Sequence, residues 1–457
     1  MSAGQQPQFR PVPNARGLSA PDPRVARRIS GAGSMRTAML TVAIAVTLAA
    51  CTTTPAQSPG NAANEAIPFD LTSGQAKLAA RLYPELAEAA GPNDNLFISP
   101  LSLSEGLGLA LLGARGQAET EMRALLGWDA ATRPELLVNA YDDFLTETGD
   151  DKVSLSVANA LWLSDELTFE EDYLQTVRAA FGATADTVDF GGAPQGSADR
   201  INGWVAKATR ERITKIVDAS GFNDLTSAVL TNAVWFKADW TVPFEDGSLS
   251  EFTRGDGSKV AVHMMERLAP LQYRETRDGQ AVALPYGKSQ RFVMEVFLPK
   301  DAQTLRRWEQ NLHALSFMLA DQGSDAKFDL GASTEQTILL RLPRFEARFD
   351  ESVKGALIAA GMPCAFAEAC ANFSGMANAP LKIDDVAHAT FLRVDEEGTE
   401  AAAATAVKIV VVGARLVPDV PRMIVDRPFL VTIRDRASGA LIFFGRIADP
   451  TPVEKAS

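Results

Sequence analysis

Residues 399–411 constrain the fold of this chain more than any other stretch, because their character alternates with a period of two. Every second residue along the stretch is small or apolar, whereas the interleaved positions carry the two charges, Glu400 and Lys408. A period of two with one uncharged face is typical of a strand that is buried on one side. The alanines at 401–404 are nevertheless too small to fill an ordinary core strand, and alanine intrinsically favours helix. The stretch is therefore suited to two states, an exposed loop and a strand admitted into a sheet.

The composition narrows the range of functions. The chain has 457 residues, of which 46% are hydrophobic and 22% are charged, and this balance is typical of a globular protein. Its 44 basic and 57 acidic residues give a net charge of −13, which argues against nucleic acid as a partner. The sequence contains no Gly-x-Ser-x-Gly elbow, no His-Glu-x-x-His and no glycine-rich phosphate loop, and its three histidines are too far apart for a metal motif. We therefore expect a protein that is not an enzyme and that uses no metal or cofactor.

The three cysteines do not form the spacing of a disulfide framework or of a metal site. Cys364 and Cys370 lie six positions apart, so they could form a bridge in an oxidising compartment or remain two free thiols. Their spacing leaves both possibilities open. The remaining cysteine, Cys51, belongs to a different feature.

An apolar stretch at 38–50 follows Arg36 and has the length of the apolar region of a signal peptide, well short of a membrane span. It ends in Leu-Ala-Ala before Cys51, which resembles a bacterial lipobox, a signal that is cut before a cysteine that then becomes lipidated. We interpret residues 1–50 as an extension with a lipoprotein signal peptide and residues 51–66 as a flexible tether. We expect the protein to be lipid-anchored at the cell envelope, at the outer membrane or cell surface. An ordinary secretory signal, and hence a secreted protein, is the alternative.

Residues 67–452 are predicted to form a single domain, because no low-complexity break or internal repeat divides them. Helical patterns such as that at 71–90 dominate the first part, and strand patterns such as that at 387–394 dominate the end. Helices mostly first and strands mostly last favour an α+β fold with antiparallel sheets. Residues 453–457 form a short tail.

Motifs spread over this domain resemble those of the serpin family, in the order in which that family carries them. A departure is Ala118, where the family usually has threonine. The resemblance implies helices packed around three mostly antiparallel sheets with an exposed reactive loop. The motifs are Asn-Leu-Phe-Ile-Ser-Pro-Leu-Ser at 95–102, Gly-Ala-Arg-Gly at 113–116, Ile-Asn-Gly-Trp-Val at 201–205, Thr-Asn-Ala-Val-Trp-Phe-Lys at 231–237, Val-His-Met-Met at 262–265, Phe-Ser-Gly-Met at 373–376, Asp-Arg-Pro-Phe at 426–429 and Phe-Gly-Arg at 444–446.

The resemblance implies a protease inhibitor whose partner is a serine or cysteine protease. In inhibitory serpins the protease acylates itself on the reactive loop, which then enters the main sheet as a new strand and distorts the protease. By this resemblance, residues 396–417 are the reactive loop of a monomeric inhibitor. The loop begins with a hinge made of Glu396, Glu397, Gly398, Thr399, Glu400, Ala401, Ala402, Ala403 and Ala404.

The hinge composition favours inhibition. Gly398 supplies a conformationally permissive position. Thr399 would be buried first, so it must be small and uncharged, because burial of an unpaired charge is costly. No proline, which would remove a ladder hydrogen bond, occurs before Pro418. The alternative is a non-inhibitory protein of the same fold with a binding or chaperone role, in which this hinge usually carries charges, prolines or bulk.

Two positions compete for the bond that the protease attacks. Counting forward from Glu396 along the spacing usual in the family gives the bond between Val412 and Gly413. A medium aliphatic side chain there suits elastase-, subtilisin- or chymotrypsin-like enzymes. Counting back from Pro428 gives the bond between Arg415 and Leu416, and hence a trypsin-like target.

The resemblance also assigns roles to residues outside the loop. Trp240 matches a tryptophan at the top of the sheet where insertion begins, a region known as the breach. Arg344 matches the residue that pairs with Glu396, and we expect an exposed pair that contributes only about 0–1 kcal/mol. A hydrogen-bonded cluster, the shutter, lies in this family beneath the sheet where strands must part, and such a buried cluster stabilises only when it is fully satisfied. Its matching residues are Ser99, Ser102, Asn232 and His388.

Overall fold

The computed structural model describes the protein in five stretches, residues 69–135, 150–181, 183–312, 334–399 and 419–450. All of them lie within one unit, residues 61–457. The signal peptide, the tether with Cys51, both candidate bonds and the tail fall outside the described residues. Within those residues, no helix is both long and apolar enough to cross a membrane.

Helices and strands alternate irregularly along the described residues. The helices are α1 (Phe69–Ala89), α2 (Pro100–Gly113), α3 (Gly116–Leu126), α4 (Glu171–Phe181), α5 (Pro194–Ala208), α6 (Ala302–Gln310) and α7 (Lys354–Ala359). The strands are β1 (Leu96–Ile98), β2 (Val153–Ser164), β3 (Thr184–Val188), β4 (Ala228–Asp239), β5 (Glu245–Thr253), β6 (Lys259–Thr276), β7 (Gly279–Pro285), β8 (Phe292–Pro299), β9 (Thr334–Pro343), β10 (Phe345–Ser352), β11 (Asp385–Val394), β12 (Gly398–Thr399), β13 (Arg422–Ile424), β14 (Phe429–Asp435) and β15 (Leu441–Ile447).

Helix α2 begins at a strong sequence signal. The Ser99 side chain accepts a hydrogen bond from the backbone N–H of Ser102, and Pro100 occupies the first turn, where its missing N–H costs nothing. The helix is apolar on nearly every side, and almost all of its residues are buried, as expected of a helix inside the molecule. It ends at Gly113, where a Cβ atom would lie 2.1 Å from the Met376 side chain. The first turn of α2 lies against the underside of the sheet that contains β4, where the Asn232 amide reaches Ser102.

The smaller sheet has the strand order β10-β11-β12-β4-β2-β3. Its centre is β4, which is buried along nearly its whole length and pairs with β2 in antiparallel fashion. On its other side β4 pairs with β11 in parallel, from Val229 opposite Asp385 to Trp235 opposite Phe391. Helix α5 covers the outer face of this sheet, where its buried residues Ile201 and Val205 share a cluster with Val229. We call the line between β4 and β11 the seam.

The larger sheet follows the order β1-β15-β14-β8-β7-β6-β9-β13, with β5 attached to β6. Strand β6 pairs with β5 near its start, with β9 along its middle and with β7 at its end. We expected three sheets, and the α+β class is confirmed. The described residues nevertheless form two hydrogen-bonded sheets, because the long strand β6 pairs in turn with β5, β9 and β7 and holds these strands in one sheet.

Candidate functional site

The start of the hinge already lies inside the smaller sheet. Thr399 stands opposite Val394 of β11 and opposite Ala238 of β4, and both pairings are antiparallel. Its side chain is fully buried, and its hydroxyl lies 2.7 Å from that of Tyr286. The expectation of an exposed loop beginning at 396 is therefore wrong for Gly398 and Thr399, because both are buried and paired with neighbouring strands. The hinge residues 400–404 lie outside the described residues.

Gly398 is required where the hinge enters the sheet. A Cβ atom at this position would lie 2.1 Å from the carbonyl oxygen of Ala238, so only glycine lets the two backbones come this close. The turn that leads into it is closed by Asp395, whose carboxylate accepts the backbone N–H groups of Glu397 at 3.0 Å and Gly398 at 3.2 Å. Sequence reasoning missed Asp395, although an aspartate before Glu-Glu-Gly is typical of such a turn.

Trp240 binds the root of the hinge from the end of β4. Its indole N–H donates to the carbonyl of Asp395 at 2.9 Å, and its backbone N–H donates to that of Glu397 at 2.8 Å. The indole is buried and stacks on Tyr286, with 4.4 Å between ring centroids and an interplanar angle of 11°. Phe244 adds a third bond, from its backbone N–H to the carbonyl of Glu396 at 2.8 Å. The region predicted as the breach therefore contacts the hinge directly.

Arg344 and Glu396 form a buried ion pair. The Arg344 Nε lies 2.8 and 2.9 Å from the two carboxylate oxygens of Glu396, and Nη2 contacts Glu396 as well as Asp246, the latter at 3.0 Å. The side chains are only 4% and 15% exposed. Our expectation of an exposed pair is wrong, because the Arg344 guanidinium is covered. Loss of Arg344 would leave the carboxylate of Glu396 without a partner in a partly dry site.

Asp246, His263 and Glu396 are the described residues whose side chains could together hold a metal ion, since their ligand atoms lie within 4.8 Å of one another. Both carboxylates already bind Arg344, and a cation would have to compete with its positive charge. We therefore interpret the group as a charge network around Arg344.

Arg267 was not singled out by the sequence, yet it lies beneath the breach. Its guanidinium is 4.1 Å from the centroid of the Phe244 ring and 6.0 Å from that of Trp240, and it donates to the carbonyl of Val242. Burial lowers the pKa of Arg267 to about 10, because a charged group is less well solvated there. The residue supports the aromatic side chains that bind the hinge.

The structure brings the four predicted shutter residues together beneath the seam. The Asn232 amide donates to the backbone carbonyl of Ser102 at 2.7 Å and to the Ser102 hydroxyl. The Ser99 N–H donates to Nε2 of His388 at 3.0 Å, while Nδ1 of His388 contacts the Asn232 carbonyl oxygen. Asn232 and His388 stand opposite each other on β4 and β11, so their hydrogen bond crosses the seam.

Two further residues extend this cluster and were missed. Asn159 stands opposite Asn232 on β2 and receives a bond from its amide, and its own amide donates to Glu105 at 3.1 Å. Glu105 is buried on α2, three residues after Ser102. A glutamate at that spacing in an otherwise apolar helix is a signal that could have identified it.

His388 is neutral in this environment. Ser99 donates to Nε2, so the proton of the neutral ring belongs on Nδ1, from which it can reach Asn232. The ring is fully buried, and burial lowers the pKa of His388 to about 3. A second proton would have to sit on Nε2 and face the N–H of Ser99, so the cluster stabilises only the uncharged imidazole.

Cys364 and Cys370 are joined by a disulfide bond, with their Cα atoms 5.1 Å apart. The backbone N–H of Cys364 also donates to the carboxylate of Glu121 on α3 at 2.8 Å. Of the two possibilities left open by the spacing, the structure contains the bridged one. The bridge lies in the stretch before β11, outside the breach and shutter.

Comparison with known proteins identifies the family. The family model for serpins, serine protease inhibitors, matches residues 73–450. An uncharacterized serpin-like protein of Thermococcus kodakarensis is 35% identical over 384 residues, which cover 81% of this chain and 83% of that protein. Antithrombin-III of Mus musculus is 30% identical over 393 residues, which cover 84% of this chain and 82% of that protein. The crystal structure of Serpin48 from the insect Tenebrio molitor has a TM-score of 0.71 and 26% identity, and the match covers 83% of this chain and 98% of that one. The chain described here belongs to the serpin family.

Proposed function

We propose that this protein inhibits serine or cysteine proteases as a suicide substrate, by inserting its cleaved reactive loop into the smaller sheet. Serpins are generally protease inhibitors rather than enzymes, so the family favours this activity. The observation that carries the proposal is the position of Thr399 between β11 and β4, antiparallel to both. The first step of a strand insertion is thus already present in the uncleaved chain.

The register of Thr399 predicts where the following residues would go. In an antiparallel strand, each further residue of the loop moves one residue back along β4 and along β11. Ala402 would then lie between Trp235 and Phe391, and Thr405 would lie between Asn232 and His388. The register with β4 and the register with β11 place the same loop residue between each pair of facing strand residues. One continuous strand could therefore pair with both β4 and β11.

The same register explains the two-residue pattern of the loop. Residues on the side of Thr399, from Ala401 to Val411 by alternate steps, would face the core, and this is the set without charges. The opposite set would face α5 and the solvent, and its Lys408 would lie beside Asp385. Small side chains at 401–404 could pass between the strands without a steric clash.

The shutter would then act as a latch on the seam. The Asn232–His388 contact must open before Thr405 can enter, so the cluster opposes insertion in the uncleaved protein. Thr405 carries a hydroxyl that both donates and accepts, and it could replace the broken bond. The latch therefore delays insertion without leaving buried polar groups unpaired in the inserted state.

We propose Val412 as the residue that the protease's primary pocket binds, with an elastase-, subtilisin- or chymotrypsin-like enzyme as the target. The twelve residues of β4 would be paired with loop residues as far as Ile409, which supports a cut shortly after that position. Arg415 with a trypsin-like target is the second candidate, since its guanidinium would suit an acidic primary pocket.

Incubation with elastase, subtilisin, chymotrypsin and trypsin tests both the mechanism and the bond. We expect an SDS-stable complex with an elastase- or subtilisin-like enzyme and a released C-terminal fragment that begins at Gly413 by mass spectrometry. A fragment that begins at Leu416 would assign the bond to Arg415. The control is Thr399→Arg, which should be cleaved at the same bond but form no complex. Cleavage of the wild-type chain without complex formation would contradict inhibition and favour a non-inhibitory binding or chaperone role.

We further propose that the mature protein is a monomer anchored in the cell envelope through a lipid on Cys51. The apolar stretch before this cysteine supports the anchor, and the polar residues 52–66 would let the domain reach proteases near the membrane. In a bacterial host, Cys51→Ser should move the protein from the membrane fraction to the soluble fraction. An unchanged distribution, with the wild type soluble, would instead support secretion.

A further inference from the structure

The turn that follows α5 crosses the outer face of the seam and contacts both of its strands. The guanidinium of Arg210 lies 4.1 Å from the centroid of the Trp235 ring on β4. That of Arg212 lies 6.0 Å from the centroid of the Phe391 ring on β11. Trp235 and Phe391 stand directly opposite each other across the seam. One short turn thus reaches the two members of a single cross-strand pair.

This turn is held in a defined shape. Arg210 and Glu211 have φ angles of 51° and 63°, a left-handed conformation that residues with a side chain rarely adopt. The N–H of Glu211 donates to the carbonyl of Ala206 at 2.7 Å, which ties the turn to the end of α5. The buried hydroxyl of Thr209 donates to the carbonyl of Val205 and accepts the N–H of Ile213 at 3.1 Å. The distance between the two arginines is therefore fixed by the backbone and not only by their side chains.

The cross-strand pair under the turn occupies a special level of the seam. Trp235 and Phe391 form the last pair of the β4–β11 ladder at the end that faces Thr399. In the register of the hinge, Ala402 would have to enter between these two rings. They are consequently the first pair of the ladder that insertion must separate.

We infer that Arg210 and Arg212 form a clasp across the seam, which keeps the sheet closed until the loop is cleaved. Neighbouring strands lie about 4.8 Å apart, and a new strand between them moves the flanking strands apart by about the same distance. A turn of fixed shape cannot follow both rings over that distance, so at least one cation–π contact must break. The inference depends on the proposed function for its purpose, but the clasp itself is a property of the uncleaved protein.

The clasp is tested first by amide hydrogen exchange of the uncleaved protein, an experiment that does not depend on a target protease. We expect the double variant Arg210→Ala/Arg212→Ala to exchange faster in peptides that contain 229–235 and 385–391, by about tenfold, and each single variant by about threefold. The matched control Lys215→Ala removes a positive charge from the same segment, where Lys215 pairs with Asp218, and should leave these rates unchanged. Equal exchange in the double variant and the wild type would overturn the clasp.

A second measurement separates the clasp from a general loss of stability. A synthetic peptide with the sequence of residues 399–412 is incubated with each uncleaved variant, and its incorporation is followed on native gels. The double variant should take up the peptide about tenfold faster than the wild type and the Lys215→Ala control. The conservative pair Arg210→Lys/Arg212→Lys should restore part of the delay, because the cations remain. Unchanged uptake would by itself also reject the clasp, whereas a wild type that is cleaved without forming a complex would reject only the proposed function.

Discussion

The hydroxyl of Thr399 lies 2.7 Å from the hydroxyl of Tyr286, in the interior beneath the smaller sheet. Either oxygen can donate, and both side chains are fully buried. Tyr286 in turn stacks on Trp240, which binds the backbone of the hinge root. Thr399 is therefore anchored to the same aromatic pair, Tyr286 and Trp240, that lies at the end of β4.

This anchor predicts a non-additive response to substitution. Tyr286→Phe keeps the ring but leaves the Thr399 hydroxyl without its partner, so the free energy of unfolding should fall by about 1–2 kcal/mol. Thr399→Val leaves the Tyr286 hydroxyl without its partner and should lower the free energy of unfolding by a similar amount. The double variant should be close to the wild type, because both partners are then apolar. Guanidinium denaturation followed by tryptophan fluorescence measures each value, and strictly additive losses would show that the two hydroxyls act independently.

The Arg344–Glu396 pair predicts an asymmetric loss. Arg344→Met removes the cation that serves both Glu396 and Asp246, and the free energy of unfolding should fall by about 3 kcal/mol. Glu396→Gln should lower the free energy of unfolding by less, because Arg344 keeps its hydrogen bond to Asp246. The double variant Arg344→Met/Glu396→Gln should recover part of the loss. A matched control is Arg348→Met, which removes an arginine whose pair with Asp350 is more exposed and should cost less than about 1 kcal/mol.

The sequence indicated which residues meet at the breach and shutter, but it did not indicate how deeply some of them are buried. Ser99, Ser102, Asn232 and His388 could be grouped because each matches a position of the same cluster in the serpin family. The burial of Arg344 could not be foreseen in the same way. It depends on Glu396 and on Asp246 from β5, which approach it only once the two sheets are in place.

The two-residue pattern of 399–411 predicted a strand, but not that Thr399 already pairs with β4 and β11 in the uncleaved chain. The room for this pairing depends on where β4 and β11 stop pairing with each other, which is at Trp235 and Phe391. Beyond this level the strands leave room for Gly398 and Thr399. Such a limit is set by contacts between distant segments, and no local pattern encodes it.

The disulfide predicts a stabilisation that is separate from the inhibitory machinery. Cys364 and Cys370 close a loop with a sequence separation of 6, and for such a short loop the chain-entropy model gives about 2 kcal/mol. Cys364→Ala/Cys370→Ala should lower the free energy of unfolding by about this amount and leave complex formation with the protease unchanged. Thiol titration of the wild type in denaturant, with and without a reductant, provides the control, because reduction should add two thiols to the number that Cys51 contributes in either condition.

The neutral state of His388 predicts a specific loss of stability in acid. Because burial holds its pKa at about 3, the unfolded chain, with an ordinary histidine pKa of about 6.5, binds more protons between these values. The stabilising contribution is thus complete above about pH 6.5 and decreases as the pH falls toward 3, and at pH 5 the loss should be about 2 kcal/mol. In His388→Gln neither state titrates at this position, so the difference in unfolding free energy between pH 8 and pH 5 should shrink by about the same amount. Denaturation curves of the wild type and of His388→Gln at pH 8 and pH 5 measure this difference. If the difference is the same in both proteins, His388 does not cause the loss of stability in acid.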